Sequence, residues 1–334
     1  MALQAKPADL TTQYCEEHIR STGIAGMSIA VMRDGKVLYA QGFGFKNHAK
    51  TAKATPQTVY RLGSVAKPVT AVAAMQQVEA GMLNLDADVR KYVPSFPKQD
   101  ATITLRSILC HQSGIRHYII SKRDVYYEPF PTALSAVKVF ANDPVLFKPG
   151  EKFSYSTHAF TLVAASVEQA TGMPMAEVIT KNIATKAGAR SLRAEDRSKR
   201  DSHRSDLFEL KNGVAADAGQ PEDISWKLGG GGMESNVVDL AKFADSLIAG
   251  KLMKPETLGQ MWTRQKLGTG LGSYGLGWVV REYSVVEHGG AQQGCRAFLT
   301  IDLPSRTVVA YLSNTGGHSP AQISEKVREL WSAH

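Results

Sequence analysis

The chain has 334 residues, of which 43% are apolar and 21% charged, a composition typical of a globular protein with a large core. Its net charge of +8, from 39 basic and 31 acidic residues, favours solubility and does not by itself indicate nucleic-acid binding. No apolar run approaches the roughly 20 residues that a membrane helix needs, and three widely spaced cysteines indicate neither a disulfide framework nor a metal site. We therefore expect no metal, no cofactor, no membrane span and no nucleic-acid partner.

Residues 27–45, MSIAVMRDGKVLYAQGFGF, predict two β-strands that form a hairpin. Both segments are rich in residues that favour strands, and the Asp34-Gly35 dipeptide between them favours a tight turn. We therefore expect an antiparallel strand pair near the N-terminus.

The segment RLGSVAKPVTAVAAMQQVEAG, residues 61–81, places a serine three residues before a lysine at the predicted start of a helix. Apolar residues recur there at helical spacing, and Gly81 is a natural C-cap. Ser64 would lie near the helix N-terminus, with Lys67 about one turn along the same face. A buried lysine loses its charge readily and can then accept the serine proton, so the pair is a candidate nucleophile and base. The alternative is an ordinary N-cap serine followed by a solvent-exposed lysine.

The same S-x-x-K pattern occurs twice more, in less favourable settings. Ser95 lies between two prolines in VPSFPKQD, which excludes a helix that would align Lys98 with it. Ser135 lies in TALSAVKVFAND, where we expect it in the middle of a helix with its hydroxyl bonded to the backbone.

Two loop segments follow in the central region. Residues 149–157, PGEKFSYST, place Tyr155, Ser156 and Thr157 just before an apolar helix. The run LGGGGM at 228–233 is not followed by the G-K-[ST] of a phosphate-binding loop, so we predict mobile backbone there.

The C-terminal region predicts strands and a final helix. The strands are YGLGWVV (274–280), RAFLTID (296–302) and TVVAYLS (307–313), and AQISEKVRELWSA (321–333) has helical periodicity. His288-Gly289-Gly290-Ala291 lies just before the second strand, where a glycine pair lets a substrate approach the sheet edge closely.

Strands at both ends of the chain and helical patterning between them predict an α+β fold. We expect an antiparallel five-stranded sheet built from both termini and flanked by helices. The predicted division is a sheet domain of residues 1–80 and 225–334 and a mainly helical inserted domain of residues 81–224, with a cleft where they meet.

The order S-x-x-K, then Y-S-T, then H-G-G resembles the serine β-lactamase and penicillin-binding-protein superfamily. A tyrosine in the second motif is similar to the branch of class C β-lactamases, D,D-peptidases and family VIII esterases, and within it to LACTB-type serine β-lactamase-like proteins and their bacterial relatives. The resemblance covers nearly the whole chain and implies the β-lactamase/transpeptidase-like fold. Its longest matching stretches are HQSGIRHY (111–118), NDPVLFKPGEKFSYSTHAFTLVAASVE (142–168), SWKLGGGGMESNVVDLAKF (225–243) and KPETLGQMWT (254–263).

The resemblance implies that Ser64 attacks a carbonyl and forms an acyl-enzyme, with Lys67 and Tyr155 sharing the proton transfers. Because tyrosine has an intrinsic pKa of about 10, Tyr155 would need nearby cations, such as Lys67 and His288, to act as a base. The backbone N–H groups of Ser64 and Ala291 would form the oxyanion hole.

Further residues would contact the substrate. His288 stands where relatives often carry lysine, and it would bind a substrate carboxylate or orient the Tyr155 proton, with a charge that varies around neutral pH. Gly289, Gly290 and Gly231 would line the cleft.

Three more positions are candidate contacts in or near the cleft. Thr157 stands where the branch often carries asparagine, which argues against efficient β-lactam hydrolysis and leaves it as a substrate contact through its hydroxyl. Arg116 and Tyr118, in SGIRHY, would line the mouth of the cleft, and a structural loop role is an equal alternative.

These features predict a metal-independent serine hydrolase that acts on small peptides, amides or esters, with a small molecule or peptide as its partner. Two alternatives stay open: a D,D-carboxypeptidase or weak β-lactamase, and a non-catalytic or filament-forming scaffold. A homo-oligomer is also open. The start MALQAKPADL lacks the apolar segment of a signal peptide. The compartments of relatives nevertheless favour a periplasmic or secreted protein whose signal was removed, with a cytoplasmic one as the alternative.

Overall fold

The computed structural model describes residues 6–119, 124–267, 270–281 and 284–333. In these ranges the chain forms fourteen strands, eleven α-helices, four 3₁₀ turns and one π-helical segment. The strands are β1 (Gly26–Arg33), β2 (Lys36–Gly44), β3 (Tyr60–Arg61), β4 (Arg193–Ala194), β5 (Phe208–Lys211), β6 (Val214–Asp217), β7 (Met233–Ser235), β8 (Lys266–Leu267), β9 (Gly270–Leu271), β10 (Val279–Arg281), β11 (Val285–Gln292), β12 (Cys295–Asp302), β13 (Thr307–Ser313) and β14 (Thr315–Gly316). The helices are α1 (Pro7–Thr22), α2 (Ala66–Glu79), α3 (Leu105–Leu109), α4 (Ala133–Ala136), α5 (Thr157–Thr171), α6 (Met175–Val178), α7 (Thr185–Ala187), α8 (Leu228–Gly231), α9 (Val237–Ile248), α10 (Pro255–Met261) and α11 (Ala321–Ser332).

An antiparallel sheet joins the two ends of the chain, in the order β10-β11-β12-β13-β1-β2. β1 lies beside β13, with Ile29 opposite Tyr311. The predicted hairpin is confirmed: Asp34 and Gly35 have φ angles of 48° and 77°, as a tight turn between twisted strands requires. The predicted α+β fold, with a sheet built from both termini, is therefore confirmed.

The sheet has six strands in the described ranges, not the predicted five, because β11 forms a full strand. The glycine pair lies within this strand, where Gly289 pairs with Phe298 and Gly290 with Ala297. Backbone hydrogen bonds to a neighbouring strand do not depend on the side chain, so glycine is tolerated here. Conversely, only the end of segment 274–280 joins the sheet, because Gly277 has a φ of 83° and forms a turn.

Both faces of the sheet are covered by helices. Alternate β1 residues, Met27, Ile29 and Val31, pack with α1 and α11. The intervening Ala30 and Met32 point to the other face and join the main core, to which α2, α5 and α9 contribute. The sheet is therefore the middle layer of three.

The helix α2 lies in the main core. Every residue from Ala66 to Met75 is buried, as expected for a helix that is apolar all round. Lys67, in the first turn, is thereby carried into the interior. The main core includes residues from both parts of the predicted domain division, which stays a prediction. No helix in the described ranges combines the length and the apolar character that crossing a bilayer requires.

Candidate active site

Ser64 lies in a 3₁₀ turn that leads directly into α2. Gly63 has a φ of 50°, and a Cβ there would lie 2.7 Å from the backbone nitrogen of Ala291, so glycine lets the turn pack closely against β11. From the strand side, a Cβ on Gly290 would lie 2.1 Å from the carbonyl oxygen of Leu62. Two glycines, distant in sequence, therefore bring the serine turn against the strand.

The side chain of Lys67 is fully buried and ends beside Ser64. Its Nζ lies 3.1 Å from Ser64 Oγ, 3.0 Å from Thr157 Oγ1 and 2.8 Å from the carbonyl oxygen of Gly230. Burial lowers the pKa of Lys67 well below its usual value, and the nearby cation Lys227 lowers this pKa further. As an ammonium, Lys67 donates to all three oxygens; as a neutral amine, it can keep its N–H bonds to Thr157 and Gly230 and use its lone pair to accept the proton of Ser64. This arrangement suits a base that takes the serine proton.

Tyr155 lies beside both Ser64 and Lys67. A side-chain hydrogen bond joins it to Ser64, and its ring centroid lies 4.5 Å from Lys67 Nζ. Burial raises the pKa of Tyr155 above its usual value, and the bond to Ser64 opposes this only in part. Neither Lys67 nor His288 contributes to this shift, so the expected activation of Tyr155 as a base by nearby cations stays a prediction. A neutral phenol suits a proton donor to the leaving group.

His288 is 3% exposed, and both of its ring nitrogens have partners. Nδ1 lies 2.7 Å from the carbonyl oxygen of Gly289 and therefore donates, so Nε2 accepts from the Tyr274 hydroxyl, also at 2.7 Å. Burial, with a smaller contribution from Lys67, lowers the pKa of His288 to about 3. The expectation of a cationic His288 that binds a carboxylate and titrates near neutral pH does not hold, because the buried ring stays neutral. The alternative role, orienting Tyr155, has no direct hydrogen bond to support it among the described residues.

A cavity of about 310 Å³ opens at Ser64. Gly289, Gly290 and Ala291 form one wall, so the backbone segments that carry the Ser64 and Ala291 N–H groups both border it. The cavity is therefore the candidate position for the substrate, and the oxyanion hole formed by these two N–H groups stays a prediction.

Thr157 is buried and accepts a hydrogen bond from Lys67, so its hydroxyl faces the lysine and not the cavity. It begins α5 immediately after Ser156, whose Oγ caps the helix by accepting from Ala159 N–H. The expected substrate contact through Thr157 is therefore replaced by a contact with the candidate base.

Arg116 is buried in a network of ion pairs and does not line the cleft. It pairs with Asp124 at 2.7 Å and with Asp143 at 2.6 Å, and it donates to the carbonyl oxygen of His117. These carboxylates occupy the guanidinium, so the structural alternative replaces the expected role in substrate binding. Tyr118 is half-buried, with its ring centroid 4.0 Å from that of His117.

A second buried lysine, Lys227, lies beside the site, and no sequence motif pointed to it. Its Nζ lies 3.6 Å from Glu222 Oε2 and 4.9 Å from the Tyr118 ring centroid. Burial lowers the pKa of Lys227, and Glu222 opposes this shift. The available signals were its position two residues before the glycines and its place in the matching stretch 225–243.

Gly231 marks the point where the serine turn, Lys227 and Gln292 meet. A Cβ on Gly231 would lie 3.8 Å from Gly63 C, 3.8 Å from Lys227 Cδ and 3.5 Å from Gln292 Oε1. The Nε2 of Gln292 is buried and has no hydrogen-bond partner within the described ranges. Neither Gly231 nor Gln292 lines the cavity at Ser64, so the expected contact of Gly231 with the substrate stays a prediction.

The prediction of mobile backbone at LGGGGM is wrong, because the run forms α8 and the start of β7 and packs against α5. A Cβ on Gly229 would lie 2.3 Å from the carbonyl oxygen of Phe160, and one on Gly230 would lie 2.6 Å from Thr157 Cγ2. The missing side chains let α8 approach α5 closely enough for the Gly230 carbonyl to reach Lys67.

The two other S-x-x-K copies have no comparable geometry. Ser95 is exposed in a loop. Ser135 lies in the first turn of α4 rather than in mid-helix, and its hydroxyl donates to the carbonyl oxygen of Thr132 in a capping box. Lys138 Nζ lies over the ring of Phe130. Ser64 is therefore the copy in which serine and lysine meet.

A cavity of about 670 Å³ lies elsewhere, lined by residues such as Tyr127, Phe130 and Arg197 but not by Ser64. Its acidic residues already have partners: Glu195 pairs with Arg61 and Glu222 with Lys227. The larger volume of this cavity is not by itself evidence for a catalytic role, so the candidate active site remains the cavity at Ser64.

Comparison with known proteins gives consistent relatives. The Beta-lactamase family model matches residues 11–330. The mitochondrial serine beta-lactamase-like protein LACTB of Homo sapiens is 27% identical over 325 residues, with 72% of this chain and 59% of that protein covered. The chain thus spans about 60% of the length of the mitochondrial relatives that it matches. Esterase EstB of Burkholderia gladioli is 25% identical, with 79% of this chain and 76% of the esterase covered.

Among solved structures, the octameric penicillin-binding protein homologue from Pyrococcus abyssi superposes with a TM-score of 0.84 at 26% identity. The superposition covers 97% of this chain and 77% of that one. The β-lactamase/transpeptidase-like fold predicted from the motifs is confirmed.

Proposed function

The chain belongs to the Beta-lactamase family, and we propose that it is a serine hydrolase that forms an acyl-enzyme on Ser64. The observation that carries the proposal is the 3.1 Å contact of Lys67 Nζ with Ser64 Oγ, in surroundings that lower the pKa of the lysine. The similarity to a protein named an esterase supports hydrolysis as the reaction class.

The proposed reaction has two halves. Neutral Lys67 takes the proton of Ser64 as Oγ attacks the substrate carbonyl, and the N–H groups of Ser64 and Ala291 stabilise the oxyanion. Tyr155 donates its proton to the leaving group, is reprotonated from Lys67, and the carbonyl–leaving-group bond breaks. Water then attacks the acyl-serine, its proton passes to the Lys67–Tyr155 pair, and Ser64 regains a proton as the acid is released.

We propose small peptides, amides or esters as substrates, with β-lactams disfavoured. Thr157 offers no carboxamide to a substrate amide, and its hydroxyl is bound to Lys67. Comparing p-nitrophenyl esters, peptide anilides and nitrocefin under the same conditions tests this preference. A clear preference for nitrocefin would contradict it.

A fluorophosphonate probe with intact-mass detection tests the nucleophile. We expect one adduct per chain in the wild type and none in Ser64→Ala. Ser135→Ala is the matched control, because it removes the serine of another S-x-x-K copy. Labelling that persists in Ser64→Ala would overturn the assignment. A wild-type chain that no probe labels would favour the scaffold alternative.

A carboxypeptidase is the second candidate, and Arg296 favours it. Arg296 lines the Ser64 cavity, and its Nε and Nη1 donate to the carbonyl oxygens of His318 and Cys295. No carboxylate within the described ranges pairs with its guanidinium. A fixed guanidinium without an acidic partner fits a carboxylate on the leaving group.

Peptides with a free C-terminal carboxylate and their C-terminal amides distinguish this candidate. If Arg296 binds the carboxylate, Arg296→Leu should raise KM for the free acids by about tenfold, the loss of one charge-assisted hydrogen bond, and leave KM for the amides unchanged. An equal change for both series would remove the carboxypeptidase candidate.

Assembly and compartment stay predictions. The homologue from Pyrococcus abyssi is octameric, and light scattering after size exclusion would show whether this chain also forms a homo-oligomer. Fractionation of the native host would separate the periplasmic or secreted prediction from the cytoplasmic alternative.

A further inference from the structure

His111 holds the backbone on both sides of Tyr155. Its carbonyl oxygen accepts a hydrogen bond from the Ser154 N–H at 2.8 Å. Its ring nitrogen Nδ1 accepts from the Ser156 N–H at 3.2 Å. One residue therefore fixes the chain immediately before and immediately after the tyrosine.

The ring of His111 also packs against the ring of Tyr155. The two centroids lie 4.3 Å apart with the planes at 39°. The ring of Tyr274, which hydrogen-bonds His288, lies 4.7 Å from the same imidazole at an angle of 61°. The imidazole thus fills the space beside Tyr155, and sideways movement of the phenol would disturb these contacts.

The backbone of His111 is held in an unusual conformation. The residue is fully buried and follows the end of α3 with a φ of 61°, in the left-handed region that few residues other than glycine occupy. Such conformations persist where the surroundings fix them, and they are frequent at functional sites.

The hydrogen bond from Ser156 also fixes the protonation of the ring. Because Nδ1 accepts, the neutral imidazole carries its proton on Nε2, which is buried and has no hydrogen-bond partner within the described ranges. Burial, with a contribution from Lys67, lowers the pKa of His111 well below its usual value. The ring therefore orients Tyr155 without adding a positive charge beside Lys67.

We propose that His111 is a positioning residue that holds Tyr155 in line with Ser64 and Lys67, an inference that rests on the proposed function. The geometry that points to it is the combination of two backbone hydrogen bonds around the tyrosine with ring packing against the tyrosine. Its effect on the reaction passes through Tyr155, and His111 itself touches no substrate.

A double-mutant cycle tests this role. The value of kcat/KM for a peptide anilide, whose amine leaving group needs the proton of Tyr155, is measured as the rate of acylation in the wild type, His111→Phe, Tyr155→Phe and the double variant. We expect His111→Phe to slow acylation by roughly 10- to 100-fold in the wild type, as misplaced reacting groups do. In the Tyr155→Phe background we expect it to slow acylation by no more than about twofold.

A second variant separates the two contacts of the side chain. His111→Asn keeps an acceptor near the position of Nδ1 and tolerates a positive φ, but it removes the ring. We expect kcat for a peptide anilide to lie between those of the wild type and His111→Phe, with KM changed by less than about twofold. A kcat for His111→Asn below that of His111→Phe would contradict the expected order and show that ring packing contributes more than the Ser156 hydrogen bond.

His158→Phe is the matched control. His158 is also a fully buried histidine, but its ring stacks on Phe140 at 4.8 Å and contacts Arg116. We expect the effect of His158→Phe to be the same in both backgrounds, apart from any change in stability measured by thermal unfolding. If His111→Phe does not fold, His111→Asn takes its place in the cycle.

An equal slowing by the His111 variant in both backgrounds would overturn the proposal, because His111 would then act independently of Tyr155. If the proposed function itself were wrong, the result would be different: the fluorophosphonate probe would still label Ser64→Ala. The two failures are therefore distinguishable.

Discussion

Lys67 and Thr157, 90 residues apart in the chain, are joined by a hydrogen bond of 3.0 Å in the interior of the protein. The contact helps to aim the lysine amine at Ser64. It also explains why Thr157, which stands where the related branch often carries asparagine, contacts the candidate base Lys67 and not the substrate cavity.

Replacing Thr157 with valine should therefore impair the reaction more than the stability. Thr157→Val removes an acceptor from Lys67, and we expect a fall in kcat of about 3- to 10-fold, as the loss of one hydrogen bond predicts. Thr161→Val is the control, since Thr161 is also buried on α5 but bonds to Trp226. Equal losses of kcat in the two variants, measured with a p-nitrophenyl ester, would remove the assigned role of Thr157.

Lys67→Met should abolish most of the activity. Without the base, Ser64 keeps its proton, and we expect a fall in kcat/KM of about 100- to 10,000-fold. Lys138→Met, in the third S-x-x-K copy, should retain wild-type kinetics. Substantial activity in Lys67→Met would mean that another group accepts the serine proton.

The pH dependence should report Lys67 and not His288. The reaction needs neutral Lys67, whose pKa is lowered, so kcat/KM should rise with pH as the lysine loses its proton. His288, with a pKa of about 3, is already neutral in that range. A pH–rate profile of His288→Gln should keep the rising limb at the wild-type position. A limb that disappears in this variant would show that His288 titrates.

The stability of the protein should also depend on Lys67. Because burial lowers the pKa of folded Lys67, the unfolded chain binds a proton that the folded chain does not, between that pKa and the usual value of about 10.4. Lys67 therefore adds to the free energy of unfolding as pH rises through this window, by up to about 1.4 kcal/mol per pH unit. Urea unfolding at several pH values should show this slope in the difference between the wild type and Lys67→Met. A difference that is independent of pH would mean that folded Lys67 keeps its usual pKa.

Two adjacent glycines should respond differently to alanine. A Cβ on Gly290 would lie 2.1 Å from the Leu62 carbonyl oxygen, so Gly290→Ala must displace the serine turn. At Gly289 the nearest atoms are ring carbons of Phe298 at 3.5 Å, an ordinary contact. We expect Gly290→Ala to lose at least about tenfold in kcat through misalignment of the nucleophile, and Gly289→Ala to keep near-wild-type kcat. Comparable kcat values for the two variants would contradict the close packing of turn and strand.

The sequence alone predicted those features that depend only on residues close together in the chain. The Ser64–Lys67 pair follows from helix geometry, because residues three apart share a face. The hairpin at Asp34-Gly35 and the strands β12 and β13 follow from turn chemistry and from strand-forming composition, which also depend only on near neighbours. The fold class followed from the order of these elements.

Only the tertiary structure decided the protonation states and the partners. His288 stays neutral because packing removes it from water and places Tyr274 against its ring. Arg116 is turned away from the cleft by Asp124 and Asp143, which nothing local connects to it. Desolvation and ion pairing depend on which distant segments of the chain come into contact in the folded protein. Local residue patterns do not predict those contacts.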